Sequence, residues 1–499
     1  MFPLKLINQL YTKQELVYLL EQQHNMSFIK KVYTDGFFKV GHQHGFLPEK
    51  MPLTTLPSKY SELQDILNKM PVKIDGNSGY LDYPGKIHEE VKSLKNYYSE
   101  VKNENDIMLV QALYRGYCFL ASAYTLEPSF QHFRKTGNYG KANNVLPEQI
   151  AQPFVEVSNK LDVYPWLDYH YAYSLGNFRK LDKKGDFKWS NLDMCVRFSG
   201  QPDEVGFIML HVDINQHSPS LVGSVINALH AIKDSDNSSA ISYLKENYET
   251  MKLMNQRRRE MWKASRWNHY NDFRVFIMGV KGNEELFGDG VIYKGVWSEP
   301  KQFRGQTGAQ DDIIPMEDIF SGVIKHYPKN ELTKYLIDLR SYRPKCIQKF
   351  FKDLEQTVSN LSKEGISDIL YKQNNFEGLC YLLGVLEEIY HFRNGHWQFV
   401  QKYIMANTKY SKATGGTPII SWLPNQMKAV MNEMKNVIKL IGDNQFNNES
   451  LELFISIKKN IDNKVKLLDH QLELINKKSF SAKKIFNLNK KYDLSDTKD

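Results

Sequence analysis

The sequence predicts a mainly α-helical protein, on three observations. Apolar residues recur at helical spacing over long stretches. The clearest is 378–405, where Gly378, Leu382, Leu383, Val385, Leu386, Ile389, Tyr390, Phe399, Val400, Tyr403 and Ile404 fall into one pattern. Strand-like alternation is confined to short pieces, Met194–Gly200 and Val291–Trp297. The chain has 499 residues, 41% of them hydrophobic and 24% charged, enough to bury a large core in two or more domains.

In chain order, residues 1–70 read as helices and loops, with a helix near 13–22. Pro52, Pro71 and the turn-rich stretch Asp75–Tyr80 punctuate them. A polar helix with a solvated face follows over about 83–102, then an apolar core helix over Ile107–Tyr124. Leu146–Phe154 reads as a turn and a short helix. After the aromatic run Tyr164–Phe178, an apolar helix begins at Gly206 and carries Phe207 and His211. A long helix spans 241–262, capped by Asp236, Asn237, Ser238 or Ser239. Its methionines suit a core, and Arg257–Arg259 face solvent or an acidic neighbour. Helices flank Pro344, and Gly365 separates them from 378–405. Helix resumes after Pro424 to about Leu440. A last helix, Leu451–Ile475, carries an apolar stripe from Ile457 to Ile475, suited to docking on the main body or to pairing subunits. The final 24 residues hold seven lysines and three aspartates and read as a mobile tail.

Composition narrows the function classes. The net charge of +8 is spread along the chain without a dense basic block, which argues against nucleic acid. The N-terminus is interrupted by charge too often for a secretory signal, and no apolar run reaches membrane length. Cys118, Cys195, Cys346 and Cys380 form no CxxC pair and read as free thiols in a reducing, cytoplasmic compartment.

His396 lies inside the 378–405 pattern, as either a satisfied core residue or an axial metal ligand. A neutral imidazole binds iron through one nitrogen while the other needs a fixed acceptor. Two features favour a ligand site. Gly415 and Gly416, within Ser411–Pro418, allow a tight turn that brings amide donors near a ligand. Arg274, set among apolar residues, calls for a carboxylate from the protein or from a substrate.

The segment from Phe273 to Gly308 reads FRVFIMGVKGNEELFGDGVIYKGVWSEPKQFRGQTG. It resembles the indoleamine 2,3-dioxygenases, haem enzymes that open the indole ring of tryptophan. Their pattern there has an FR- or LR-type start, a GWKGNP-like turn, a DGLVYEGFW-like run and a PKEF-G-GSAGQ loop. Their proximal-histidine pattern, R-S-Y-H-x-x-x-x-x-K-Y-I, is similar to Arg393-Asn394-Gly395-His396 followed by Lys402-Tyr403-Ile404. Their GTGGT loop is similar to Ala413–Thr417, and an LPxxIAxPF-like segment to Leu146–Phe154. These motifs follow the family's order across roughly 110–435.

The resemblance implies a two-domain haem protein with a large C-terminal helical domain. Its expected divisions are an N-terminal extension (1–105), a smaller domain with the distal-pocket edge (106–190), the haem-binding catalytic domain (191–440), and an amphipathic helix with a basic tail (441–499). It implies haem b on His396, with Arg393 and Asp318 paired beside the propionates. Gly305, Thr307, Gly415 and Gly416 would lie in loops against the cofactor. Phe207 would pack on the indole and Arg274 would bind the amino acid carboxylate. Thr307 and Thr417 would meet the amino acid end or a propionate. The tyrosine that edges the family's distal pocket matches His170 by gapless counting from Asn177, or Tyr171 if one residue is missing.

Several positions depart from the family. His211 stands where serine is frequent. The related tryptophan 2,3-dioxygenases have a distal histidine, so His211 would be a hydrogen-bond donor to oxygen, a sixth iron ligand, or a core residue. His269 and Tyr270 replace two phenylalanines, making the pocket more polar. The implied reaction uses O2 as co-substrate and a reductase or small reductant to keep iron ferrous. It cleaves the indole C2–C3 bond of L-tryptophan, or a related indole, to N-formylkynurenine. A haem monooxygenase or rearrangement enzyme of secondary metabolism, and a non-enzymatic haem sensor, are the alternatives.

Overall fold

Helices carry the fold because the chain's apolar residues are spaced for them. The computed structural model describes residues 28, 31–406, 414, 419–444, 447–476 and 482–497. The helices used below are α1 (Ser61–Lys69), α2 (Lys86–Ser93), α3 (Ile107–Thr136), α4 (Glu148–Leu161), α5 (Pro202–Asn215), α6 (Ser218–Lys233), α7 (Asn237–Arg259), α8 (Ile313–Ser321), α9 (Lys345–Leu361), α10 (Phe376–Phe399), α11 (Ile419–Ile441), α12 (Asn448–Asn476) and α13 (Ala482–Lys491). Extended structure among the described residues is limited to two-stranded pairs. Phe178–Lys180 runs antiparallel to Leu192–Met194, and Val145–Leu146 runs parallel to Ile292–Tyr293. No helix among the described residues is long and apolar enough to cross a membrane.

The centre is α10, packed between α7, α11 and α12, with α7 in turn against α6. Asn375 starts α10 by accepting from the Gly378 amide at 2.8 Å. Its continuation, Val400–Met405, is a π-helical turn, so the predicted single helix changes pitch just past His396. The core helix begun at Ile107 runs on to Thr136. It is buried around most of its circumference, so it has no polar face to mark its end. Gly137, at φ 74°, ends it by donating to the Phe133 carbonyl.

Elsewhere the structure departs from expectation. The polar helix over 83–102 is broken into α2 and Tyr98–Lys102, because Leu94 turns extended and buries itself with Tyr97. Asp236 caps α7 by accepting from the Ser239 amide at 3.1 Å, and α7 stops before Glu260, with Met261–Ala264 as a separate turn. Helix α11 begins at Ile419 and runs through Pro424 instead of starting after it. The stripe on α12 is spent within the chain: Ile457, Ile461 and Leu468 are buried in the common core, so they offer no face to a second copy. The C-terminal residues 482–497 are not a free tail. Ile485 and Asn489 are fully buried, and Asp496 reaches the side chain of Arg258. Residues 31–105 also join the continuous core, through Phe37, Phe38, Phe46 and Tyr60. The helix expected near 13–22 lies outside the described residues.

Candidate haem and substrate cavity

Helices α5 and α10 wall a cavity lined mainly by apolar side chains. Phe207, His211 and Asn215 come from α5. His396, Phe399, Val400 and Tyr403 come from α10 and the turn after it. Tyr270 and the Gln306–Gly308 loop close the other sides. A smaller adjoining cavity shares His396, Gly308, Asp311, Phe392 and Leu423, and extends to Arg393 and Asp318. His396 therefore stands where the two spaces meet. Burial, reinforced by the nearby Arg258 charge and by His211, lowers its pKa to about 4. The ring is neutral at physiological pH, the form that binds iron. A neutral histidine facing a mainly apolar cavity is the donor chemistry that haem iron requires, so these residues fit the expected cofactor.

His211 reaches the same cavity one helical turn beyond Phe207. Burial also lowers its pKa, opposed by Asp311. Its Nδ1 lies 3.1 Å from the Tyr169 hydroxyl, which donates to Asp311 Oδ2 at 2.6 Å. That carboxylate also accepts from Asn215 Nδ2 at 2.9 Å and from the Ile313 amide at 3.0 Å. Burial, with Asp311 beside it, pushes the Tyr169 phenol well above its usual range, so its proton stays on. A phenol has one proton to give, and Asp311 takes it. The Tyr169 oxygen must then accept from His211, which fixes the Nδ1–H tautomer and leaves Nε2 with a lone pair on the cavity side. Polar contact with O2 by donation is therefore not what this neutral ring offers.

None of Tyr169, His170 and Tyr171 lines the cavity, and Tyr169 is tied to it through His211. Residues Tyr169–Tyr173 form a π-helical turn, with Asp168 accepting from the amides of Tyr171 and Ala172. The extra residue in the turn rotates the side chains relative to ordinary helical counting. His170 is sent into a buried cluster, bonded to Asp312 at 2.8 Å, and Arg343 holds the other oxygen of Asp312 at 2.5 Å. The Tyr171 hydroxyl donates to Asp35 at 2.6 Å. Both therefore leave the pocket edge.

The expected substrate residues divide. Phe207 and Tyr270 line the cavity with ring centroids 5.0 Å apart. Arg274 is fully buried one layer behind, not on the cavity wall, and donates to the Tyr139 hydroxyl at 3.1 Å. Burial pushes the Tyr270 phenol up to about 12 against the opposing pull of Arg274. His269 turns away from the cavity and bonds Asp272, three residues on, at 3.0 Å. Thr307 lines the cavity while its hydroxyl caps the Gly308–Gln310 turn. Gly305 serves a chain crossing instead of the cofactor: a Cβ there would collide with the backbone of Gly279. Thr414 ties the same crossing, its Oγ1 donating to the Gln306 carbonyl at 2.8 Å. Gly415, Gly416 and Thr417 lie outside the described residues.

Arg393 and Asp318 form a buried ion pair at 2.5 Å, and the Tyr327 hydroxyl donates to the same carboxylate oxygen. Gln426 Oε1 accepts from Arg393 at 3.1 Å. Sequence reasoning missed Tyr169, Asp311, Asn215 and Arg258. The Asp311-Asp312 pair directly after a glycine-containing loop was the one visible signal. The others depend on packing between distant segments.

Comparison with known proteins follows the same lines. The family model described as Indoleamine 2,3-dioxygenase matches residues 35–445, reaching further toward the N-terminus than the motifs at 110–435. Indoleamine 2,3-dioxygenase 1 of Rattus norvegicus is 25% identical over 307 residues, covering 61% of this chain and 70% of that protein. Indoleamine 2,3-dioxygenase 2 of Mus musculus is 24% identical over 422 residues, covering 79% and 94%. Indoleamine 2,3-dioxygenase of Saccharomyces cerevisiae is 26% identical over 383 residues, covering 73% and 79%. With most of its length matched by the family model, and its neutral histidine at the meeting point of two cavities, the chain belongs to the indoleamine 2,3-dioxygenase family.

Proposed function

We propose that the protein is a haem b-dependent dioxygenase that opens the indole C2–C3 bond of L-tryptophan to give N-formylkynurenine. The observation that carries this reading is the cavity with neutral His396 on one wall and His211, held through Nδ1 by the Tyr169 hydroxyl, on another. Haem b, when bound, supplies the iron chemistry through which both atoms of O2 enter the product. His396 would hold the iron, and Arg393 with Asp318 would flank the propionates.

The chain's own residues do the rest. Phe207 and Tyr270 pack on the indole ring. Nε2 of His211 accepts the indole N–H, which orients the C2–C3 bond. Thr307 and Tyr270 meet the amino acid end, and Arg274 behind Tyr270 supplies the charge that attracts the carboxylate. Burial of these groups excludes water from the reacting ring. An external reductase or small reductant keeps the iron ferrous. The test is conversion of L-tryptophan by reduced, haem-loaded protein. N-formylkynurenine from the wild type and none from His396→Ala supports the reading; no product from the wild type refutes it.

One observation favours a second reading. The lone pair on His211 Nε2 is also a potential iron ligand, and a six-coordinate haem would suit a sensor better than an enzyme. Six-coordinate haem that persists with tryptophan present and is lost in His211→Ala would select the sensor.

A further inference from the structure

The family match ends at residue 445, yet the described chain continues through α12 and α13 to residue 497. That added segment returns to the His396 side of the cavity. The Arg258 guanidinium, on the cavity wall, forms an ion pair with Asp496 in which the two side chains are 3% and 8% exposed. Its second nitrogen reaches the other Asp496 oxygen at 3.1 Å, and Nε donates to Asn255 Oδ1 at 3.0 Å. The guanidinium lies against Gly395, where a Cβ would overlap it. The residue preceding His396 thus has no side chain because Arg258 occupies that space.

The tail is fastened to the same helix by its backbone. The Leu494 carbonyl accepts from Asn394 Nδ2 at 3.2 Å and from Gln398 Nε2 at 3.1 Å, and the Asp496 amide donates to Gln398 Oε1 at 3.0 Å. A separate aromatic contact runs from Phe486 on α13 to Trp262, with centroids at 5.9 Å. Trp262 meets the cavity residues Phe399 and Tyr403 at 4.8 and 5.6 Å.

We propose that residues 482–497 form a proximal clasp in which Asp496, acting through Arg258, positions the His396 turn and balances the charge beside it. Arg258 and Asp496 are positioning residues. The inference rests on the reading of His396 as the haem ligand. An uncompensated cation beside the iron favours the ferrous state, because reduction lowers the positive charge there. Removing the Asp496 charge alone should therefore shift the midpoint potential upward.

The test is the ferric–ferrous midpoint potential and the iron–histidine stretching frequency of full-length, haem-loaded protein. Asp496→Asn is expected to shift the potential positive and to change the stretching frequency. The double variant Arg258→Met/Asp496→Asn, which removes both charges, should return the potential toward the wild type. A wild-type protein that binds no haem through His396 defeats the underlying reading. A wild type that does so, with Asp496→Asn unchanged in both quantities, overturns the clasp alone. If Asp496→Asn does not fold, deletion of 492–499 carries the same expected positive shift. If neither folds, the segment is a core element and the proposal falls.

Discussion

Replacing Tyr169 by phenylalanine removes one oxygen from a fully buried ring and tests the distal assignment directly. Asp311 loses its 2.6 Å donor but keeps Asn215 and the Ile313 amide, so it remains solvated by protein. His211 loses its Nδ1 acceptor and is left with a buried donor, a defect worth about 1–3 kcal/mol. The ring relieves it by moving the proton to Nε2, which turns the cavity-side nitrogen from acceptor to donor. The indole N–H then meets a donor, and kcat/KM for L-tryptophan should fall by about tenfold to a hundredfold, at about 1.4 kcal/mol per decade. An N1-methylated tryptophan has no N–H to lose and should be affected far less. The assay is steady-state kinetics on both substrates in wild type and variant. Equal losses on both, or no loss on either, would refute the tautomer argument.

Other outcomes follow from the same geometry. Arg274→Met removes the charge held one layer behind Tyr270 and should lower kcat/KM for L-tryptophan, while leaving tryptamine, which lacks the carboxylate, little changed; parallel kinetics check it. Asp318→Asn breaks a buried pair with Arg393 and should destabilise the fold by about 3–5 kcal/mol, read by denaturant unfolding. Burial pushes Glu317 up to about 8, opposed by the Asn247 hydrogen bond and helped by Asp318. The folded state thus holds a proton that the unfolded chain releases above its ordinary carboxyl range, and stability falls as pH rises from about 4.5 to about 8. Glu317→Gln should therefore raise Tm at pH 8 and leave it nearly unchanged at pH 4, by calorimetry.

The helical class was legible because apolar spacing at 378–405 repeats over many turns, and α10 follows it. The end of α3 was not legible, because a helix buried on nearly all sides shows no polar stripe. His396 and the Arg393–Asp318 pair stood out through motif order, and the pair is formed in the structure. Tyr169 escaped because a π-helical turn adds a residue that no count from Asn177 reveals. Arg258 sat in a run of three arginines that reads as a surface. Its partner Asp496 is 238 residues away and belongs to a lysine-rich tail whose composition suggests solvent. Gly305 was assigned to the cofactor by motif, whereas its lack of a side chain serves a backbone crossing with Gly279.

The most direct test of the central claim is the fate of labelled oxygen. The haem-loaded protein is reduced without oxygen, mixed with L-tryptophan and exposed to oxygen-18 gas, and the product is weighed by mass spectrometry. Two labelled atoms in N-formylkynurenine are predicted. One labelled atom would contradict the dioxygenase reading in favour of monooxygenation. No labelled product, with six-coordinate haem that disappears in His211→Ala, would contradict it in favour of a sensor.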